Sequence, residues 1–240
     1  MSRVSYDEGS MTISLEGLED VEEKLGTLKN KSRAAVKVAL NATAREARKR
    51  MIAGVKQRYA INSKGIKYVK VLRQNRKATN ANLNASLYIK TPRNDLGYFR
   101  TNPKEAIMGR AALSGPEFFK AKVLKSSSMK RLTGTMSRFP DAMQAMSGGR
   151  GFSKGFLVKF KSTHTGMVQR VIGSDVSSHS KPTRWRTKDG RVEKLITMGS
   201  PSATAMHHVI FPMIEPDVEK YLQDRLEVQV QKVLARAGKA

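Results

Sequence analysis

Four histidines and no cysteine are all that this 240-residue chain offers to a borderline-soft metal. His207 and His208 are adjacent, and adjacent side chains diverge in a strand or a helix, so the pair does not converge on one ion. No carboxylate cluster stands near it, and His164 and His179 sit alone in turn-like contexts. A packed or surface histidine pair is the favoured reading. Gly148, Gly149, Arg150, Gly151 and Lys154 imitate a phosphate-binding loop. They lack the strand before and the helix after that would aim the amides at a phosphate, so a hinge is favoured. No Walker A, HExxH, GxSxG or strand-to-helix GxGxxG is present. Without Cys there is no thiolate nucleophile, no disulfide and no Cys-ligated zinc or iron-sulfur site. Acid and base work by paired carboxylates is no better supported, because residues 31 to 214 contain only eight Asp or Glu and no close pair. The expectation is a non-enzyme with no catalytic residues, no metal and no cofactor.

What the sequence does offer is positive charge. Lys and Arg number 45 against 20 Asp and Glu, a formal +25 with an isoelectric point near 10.5. Such a balance implies an anionic partner. The first 30 residues oppose it, with three bases against seven acids, and residues 215 to 240 are balanced at five each. The whole excess lies in residues 31 to 214, where 37 bases face 8 acids. This split suggests either a broad basic face or head-to-tail contact between copies, acidic start against basic middle. In that contact Glu16, Glu19, Asp20, Glu22 and Glu23 would be the acidic side.

The basic side is sharper between residues 37 and 77, where helical spacing places Arg45, Arg48, Lys49 and Lys56 on neighbouring rows with Lys37. Lys64, Lys67, Lys70, Arg73, Arg76 and Lys77 continue the run. A solvated helix face normally mixes signs, yet Glu46 is the only acid between residues 31 and 94. A contact with an anionic partner is therefore favoured over plain solvation. If the anion is DNA, these groups meet phosphates and carry no sequence information. Only 15 aromatics, 6% of the chain, argue against a platform that stacks single-stranded bases.

The elements that must carry this charge follow from periodicity. Met11 to Leu15 reads as a strand and Glu16 to Leu28 as a helix with Leu18, Val21, Leu25 and Leu28 on one stripe. Lys31 to Tyr59 reads as a long helix on Val36, Leu40, Ala44, Ala47, Met51 and Val55, and Asn62 or Ser63 caps a shorter helix to about Val71. Alternation over Leu83 to Ile89 marks a strand ended by Thr91 and Pro92. Phe156 to Phe160 and Met167 to Ile172 form a hairpin, and Val192 to Met198 a further strand. A weakly patterned stretch at about 101–154 reads as a projecting insertion. Glu215 to Ala237 reads as a closing helix, with Pro216 in its first turn and Gly238 at its C-terminal end. The expected fold is α+β, a mainly antiparallel sheet packed against a long N-terminal helix and a C-terminal helix, in a single domain over residues 1–240. The opening residues have no apolar signal core, and no run approaches the 18 apolar residues of a membrane helix. A soluble chain with no membrane contact is expected.

Several segments resemble the phage minor tail protein Z family and its tail-completion relatives. They are LEGLEDVEEKLGTL; the basic helix VALNATAREARKRMIAGV, with its Ala-Leu-Asn-x-x-Ala, leading to YAINSKGIK; RKATNANLNASLYIK followed by DLGYFR; and the late LITMGSPSATAM. About two thirds of the chain is covered. The stretch at 101–154 is larger than the family leads one to expect. The resemblance implies a structural virion protein that completes the head-proximal end of a long tail and mediates head-tail joining. Its implied partners are copies of itself in a ring, commonly a hexamer, the tail tube or tail terminator protein, the head-tail connector proteins, and duplex DNA in the lumen. Its implied location is the tail or neck of the virion, reached from the host cytoplasm during assembly. The family brings no catalytic residues. The alternative from composition alone is a non-specific nucleic-acid-binding protein; a phosphate-handling enzyme on Gly148 to Lys154 stands third.

Overall fold

A computed structural model describes residues 2–7, 9–70, 72–89, 95–102, 120–131, 156–160, 163, 165–170, 195–198 and 200–238. The fold is α+β, and the chain divides into two compact units. The first takes residues 1–57, 67–92 and 203–240; the second takes 58–66 and 93–202.

In the first unit, strands β1 (Ser2–Asp7), β2 (Ser10–Leu15), β3 (Leu72–Arg76) and β4 (Asn84–Ile89) form one antiparallel sheet in the order β1-β2-β4-β3. The period of two sends Val4, Met11, Ile13, Ala85, Leu87, Ile89 and Leu72 into the core. The intervening Ser10, Thr12, Ser14, Asn84, Ser86 and Tyr88 are left half-buried or exposed. Helix α1 (Glu19–Leu25) is shorter than its apolar spacing predicts: Gly26, at φ 54°, closes it, and a 3₁₀ stretch, Gly26–Lys31, follows. Helix α2 (Ser32–Arg58) is the long helix foreseen, and its six-residue apolar stripe is wholly buried. Its alanines let other elements lie close on more than one side: Ala35, Ala39 and Ala42 are buried as well.

Two strands of this unit escape sequence reading. The shorter helix, α3, spans Ser63–Val69, and β3 begins just past the end expected for that helix, about Val71, in a stretch for which no element was expected. Its LRQNR has one apolar residue, and it is a strand because it edges the sheet and pairs with β4 through a register shift between Gln74 and Arg76. β1 is likewise an edge strand, with Tyr6 stacked on Phe211 and its hydroxyl donating to the Thr204 carbonyl at 3.2 Å.

The closing helix is the largest correction. Helix α4 runs Ala203–Ala237, so it starts twelve residues before the expected Glu215, and Pro212 and Pro216 lie inside it. A proline cannot donate to the carbonyl four residues back, here those of His208 and Pro212. His208, Pro212 and Pro216 are all exposed, so water can solvate both freed carbonyls and the helix survives. Buried Met206, His207, Ile210 and Phe211 anchor the part that sequence missed; Val218, Leu222 and Val230 anchor the part it foresaw. Gly54 is where α2 admits α4: a Cβ there would lie 2.5 Å from Ile210 Cγ2. No described helix is long and apolar enough to cross a membrane.

In the second unit, β5 (Arg100–Asn102), β6 (Lys120–Lys122) and β7 (Lys130–Arg131) form one small antiparallel sheet. β8 (Phe156–Lys159), β9 (Thr165–Arg170) and β10 (Leu195–Met198) form another, in the order β10-β9-β8. The hairpin and late strand foreseen from alternation are present. Within the stretch expected to project at 101–154, residues 120–131 supply two paired strands, and most of the rest lies outside the described residues. Asp95 organises one corner: its carboxylate accepts from the Gly97 amide at 2.7 Å and the Thr165 amide at 3.2 Å. Asn62 caps α3, as expected, by accepting from the Gly65 amide at 2.9 Å.

Candidate anion-binding surface

The expected basic residues separate into groups. On α2, Arg45, Lys49 and Lys56 are exposed and fall within about 40° of one another at 100° per residue, with exposed Val38 between them. The rest of the helix is held in place by its buried positions, so this stripe is rigidly displayed. Lys49 lies 3.6 Å from Glu46, and both it and Lys56 keep their ammonium groups in solvent. Among the described residues, Arg45 and Lys56 make no ion pair.

Arg48 and Lys37 do not belong to the stripe. Arg48 is half-buried, and its guanidinium donates to the main-chain carbonyls of Leu72 and Lys70. Those carbonyls lie at and just before the start of edge strand β3, and Arg48 ties them to α2. Lys37 is also half-buried, one turn before Asn41, whose side chain donates to the Lys37 carbonyl. Asn41 Oδ1 accepts from the Ala78 amide and from Gln74 Nε2, while its Nδ2 donates to the carbonyls of Ala78 and Lys37, all at 3.0 Å. All four of its hydrogen-bonding positions are used, so it pins the chain that leaves β3 against α2. Asn41→Ala is expected to cost about 1.5 kcal/mol, because it strands both main-chain groups of the buried Ala78. The midpoint of denaturant unfolding measures this loss.

Arg73 and Arg76 lie on β3 and are exposed. Leu72 and Gln74 turn toward α2, so Arg73 faces the other side of the sheet, beside Tyr88. They do not continue the α2 stripe as expected, because they lie on a strand of the sheet. Lys67, Lys70 and Lys77 are exposed in the same unit, and Lys64 is exposed in the second unit.

The acidic candidates are partly engaged inside the chain. Glu19, Asp20 and Glu22 occupy the first turn of α1, where the helix dipole favours them. Glu22 accepts from the Ser32 hydroxyl at 3.2 Å, and Glu16 stands 3.8 Å from the Arg3 guanidinium with both side chains well exposed. Glu23 is exposed.

His207 and His208 part company, as adjacent positions must. His208 is exposed, its ring 5.9 Å from that of Tyr6. His207 is fully buried, with Nε2 3.2 Å from the Val69 carbonyl and Nδ1 without a partner. Burial pushes its pKa down to about 4, the hydrogen bond to Val69 opposing part of that shift. The ring is therefore neutral near pH 7, with Nε2 donating to Val69. Among the described residues no group of three or more His, Asp or Glu could hold a metal. Gly148 to Lys154, His164 and His179 lie outside the described residues.

Arg50, which sequence reading passed over, joins α2 to α4 through Glu46 and Asp217. Its signal was present in the i,i+4 spacing from Glu46; the partner on α4 was not, because it lies 167 residues away.

Fold and surface together define a two-unit α+β protein with an exposed basic stripe on helix α2 and, among the described residues, no assembled catalytic or metal centre. No family model, curated protein or solved structure matches this chain.

Proposed function

We propose that this chain is a structural virion protein of a long-tailed bacteriophage, completing the head-proximal end of the tail as a ring and joining tail to head. The observation that supports it most is the place of the family-like segments. The Ala-Leu-Asn-x-x-Ala of α2 puts Ala39, Leu40 and Ala44 in the core and Asn41 on the β3 exit. The strand NASLYI is an inner strand of the sheet, and Ala203 and Met206 of the late segment are buried. These three segments supply buried residues of the first unit's sheet and helices, and the charge that the α2 segment leaves exposed is basic. The protein has no catalytic role in this reading and takes no cofactor. Its partners are further copies of itself, the tail tube or terminator protein on one side and the connector on the other, with duplex DNA in the lumen.

Purified protein examined by sedimentation and electron microscopy is expected to form closed rings, and gold-labelled antibody is expected to mark the neck of the virion. A monomer absent from tail and neck would overturn the proposal. The exposed stripe of Arg45, Lys49 and Lys56 also suits a second reading, non-specific binding to duplex DNA. That reading requires affinity that falls steeply with salt, and tight binding by a protein that never forms rings would favour it.

A further inference from the structure

We infer that neighbouring copies meet through two different helix faces, the outer face of α4 in one copy against the exposed stripe of α2 in the next. The inference rests on the ring proposed above and names the surfaces that would close it.

The first half of α4 carries a second apolar stripe that its own core does not use. Val209, Pro212, Met213 and Pro216 recur at spacings of three, one and three, the pattern of one helix face. Here that face points to solvent: Val209 is 40% exposed, Met213 is 64% exposed, and both prolines are exposed. The buried residues of the same turns, His207, Ile210 and Phe211, lie on the opposite side. Ordinary surface helices put charge where these residues stand.

Charge says what covers this face. Residues 203 to 219 contain no Lys or Arg but hold Glu215, Asp217 and Glu219, in a chain whose formal charge is +25. Asp217 is paired with Arg50 of its own chain. Among the described residues, Glu215 and Glu219 make no ion pair, and both are half-buried beside Pro216. The face is therefore apolar at its centre and acidic at one end. The α2 stripe is its complement, with exposed Val38 at one end and Arg45, Lys49 and Lys56 beyond it.

The two faces look in different directions. On α2, Gly54 faces α4, and Arg45 lies nine residues away, about two and a half turns, which places it on the far side. A patch that fits a different patch on the far side of an identical molecule makes a heterologous contact, which propagates and closes into a ring when the rotation allows. An isologous dimer would use one face twice, and here that would set acid against acid or base against base.

The absence of cysteine makes a clean test possible. Met213→Cys and Lys49→Cys variants of the full chain are prepared separately, mixed and oxidised. The inference expects a disulfide-linked dimer in the mixture at least tenfold above that formed by either variant alone. Arg45→Glu with Lys56→Glu should lower ring formation at least tenfold, and adding Glu215→Lys with Glu219→Lys should restore most of it. Predominant self-linking of Met213→Cys would overturn the inference in favour of an isologous contact. Rings that form normally while no mixed disulfide appears would overturn it and leave the ring itself standing. A wild-type chain that stays monomeric would overturn both.

Discussion

Replacing Gly65 by Ala is expected to loosen the second unit by about 3 kcal/mol, the upper end of what overpacking costs. On an exposed helix the same change would stabilise by up to about 1 kcal/mol, so the surroundings decide the sign. A Cβ at this position would meet Ile61 Cγ2 and stand 2.8 Å from the Tyr98 carbonyl oxygen and 2.9 Å from Tyr98 Cβ. The carbonyl cannot yield, because it accepts from the Asn62 amide at 2.8 Å. The Asn62 side chain is held too, donating to the Gly97 carbonyl while accepting from Gly65. Ile61 and Phe99 add a bridge between the same two segments. Relief therefore requires residues 58–66 and 95–99 to part. Amide exchange at Asn62 and Phe99 should accelerate on the order of a hundredfold, and unchanged protection there would contradict this account.

Acid is expected to weaken the first unit through His207. Its pKa is near 6.5 in the unfolded chain and about 4 when folded. Between these values the unfolded chain binds the extra proton and the folded chain does not, so stability rises with pH across the window. The contribution is fully present above about pH 6.5 and is lost as pH falls toward 4, amounting to about 3 kcal/mol between pH 7 and pH 4. The physical cause is in the geometry: a proton on Nδ1 would find no acceptor in a site that water does not reach. Stability curves of the wild type and His207→Gln, which keeps a donor for Val69, should diverge below pH 6.5, the wild type falling faster. Parallel curves would refute the assignment. If the variant fails to fold, an NMR titration of His207 in the wild type decides, and a midpoint near 6.5 would refute it equally.

These two effects and the proposed contact come from different levels of information. The α+β class, the core stripe of α2, strand β4, the β8–β9 hairpin and the second half of α4 were legible because each follows a period of 3.6 or 2 over several residues. Asn62 was legible as a cap for the same local reason. β3 was not, because LRQNR is a strand only by pairing with β4 and bonding Asn41. The start of α4 was not, because Pro212 and Pro216 are helix-breaking signals whose cost disappears when the freed carbonyls face water.

The basic candidates divide along the same line. Their number and the scarcity of acids between residues 31 and 94 are properties of the sequence, and so is the implication of an anionic partner. Which of them are available for it is a tertiary matter. Arg45, Lys49 and Lys56 stay in solvent, whereas Arg48 is drawn to the carbonyls of Leu72 and Lys70, and Arg73 turns to the far face of the sheet. Composition counts charges without direction; direction is set by hydrogen-bonded main chain brought from distant parts of the sequence. The sequence by itself determined the class of fold, the elements that repeat with a clear period and the sign of the chain's own charge. Only the tertiary structure decided the exposed stripe on α2, the burial of His207 and the uncovered apolar face of α4, because each depends on which element packs against which side.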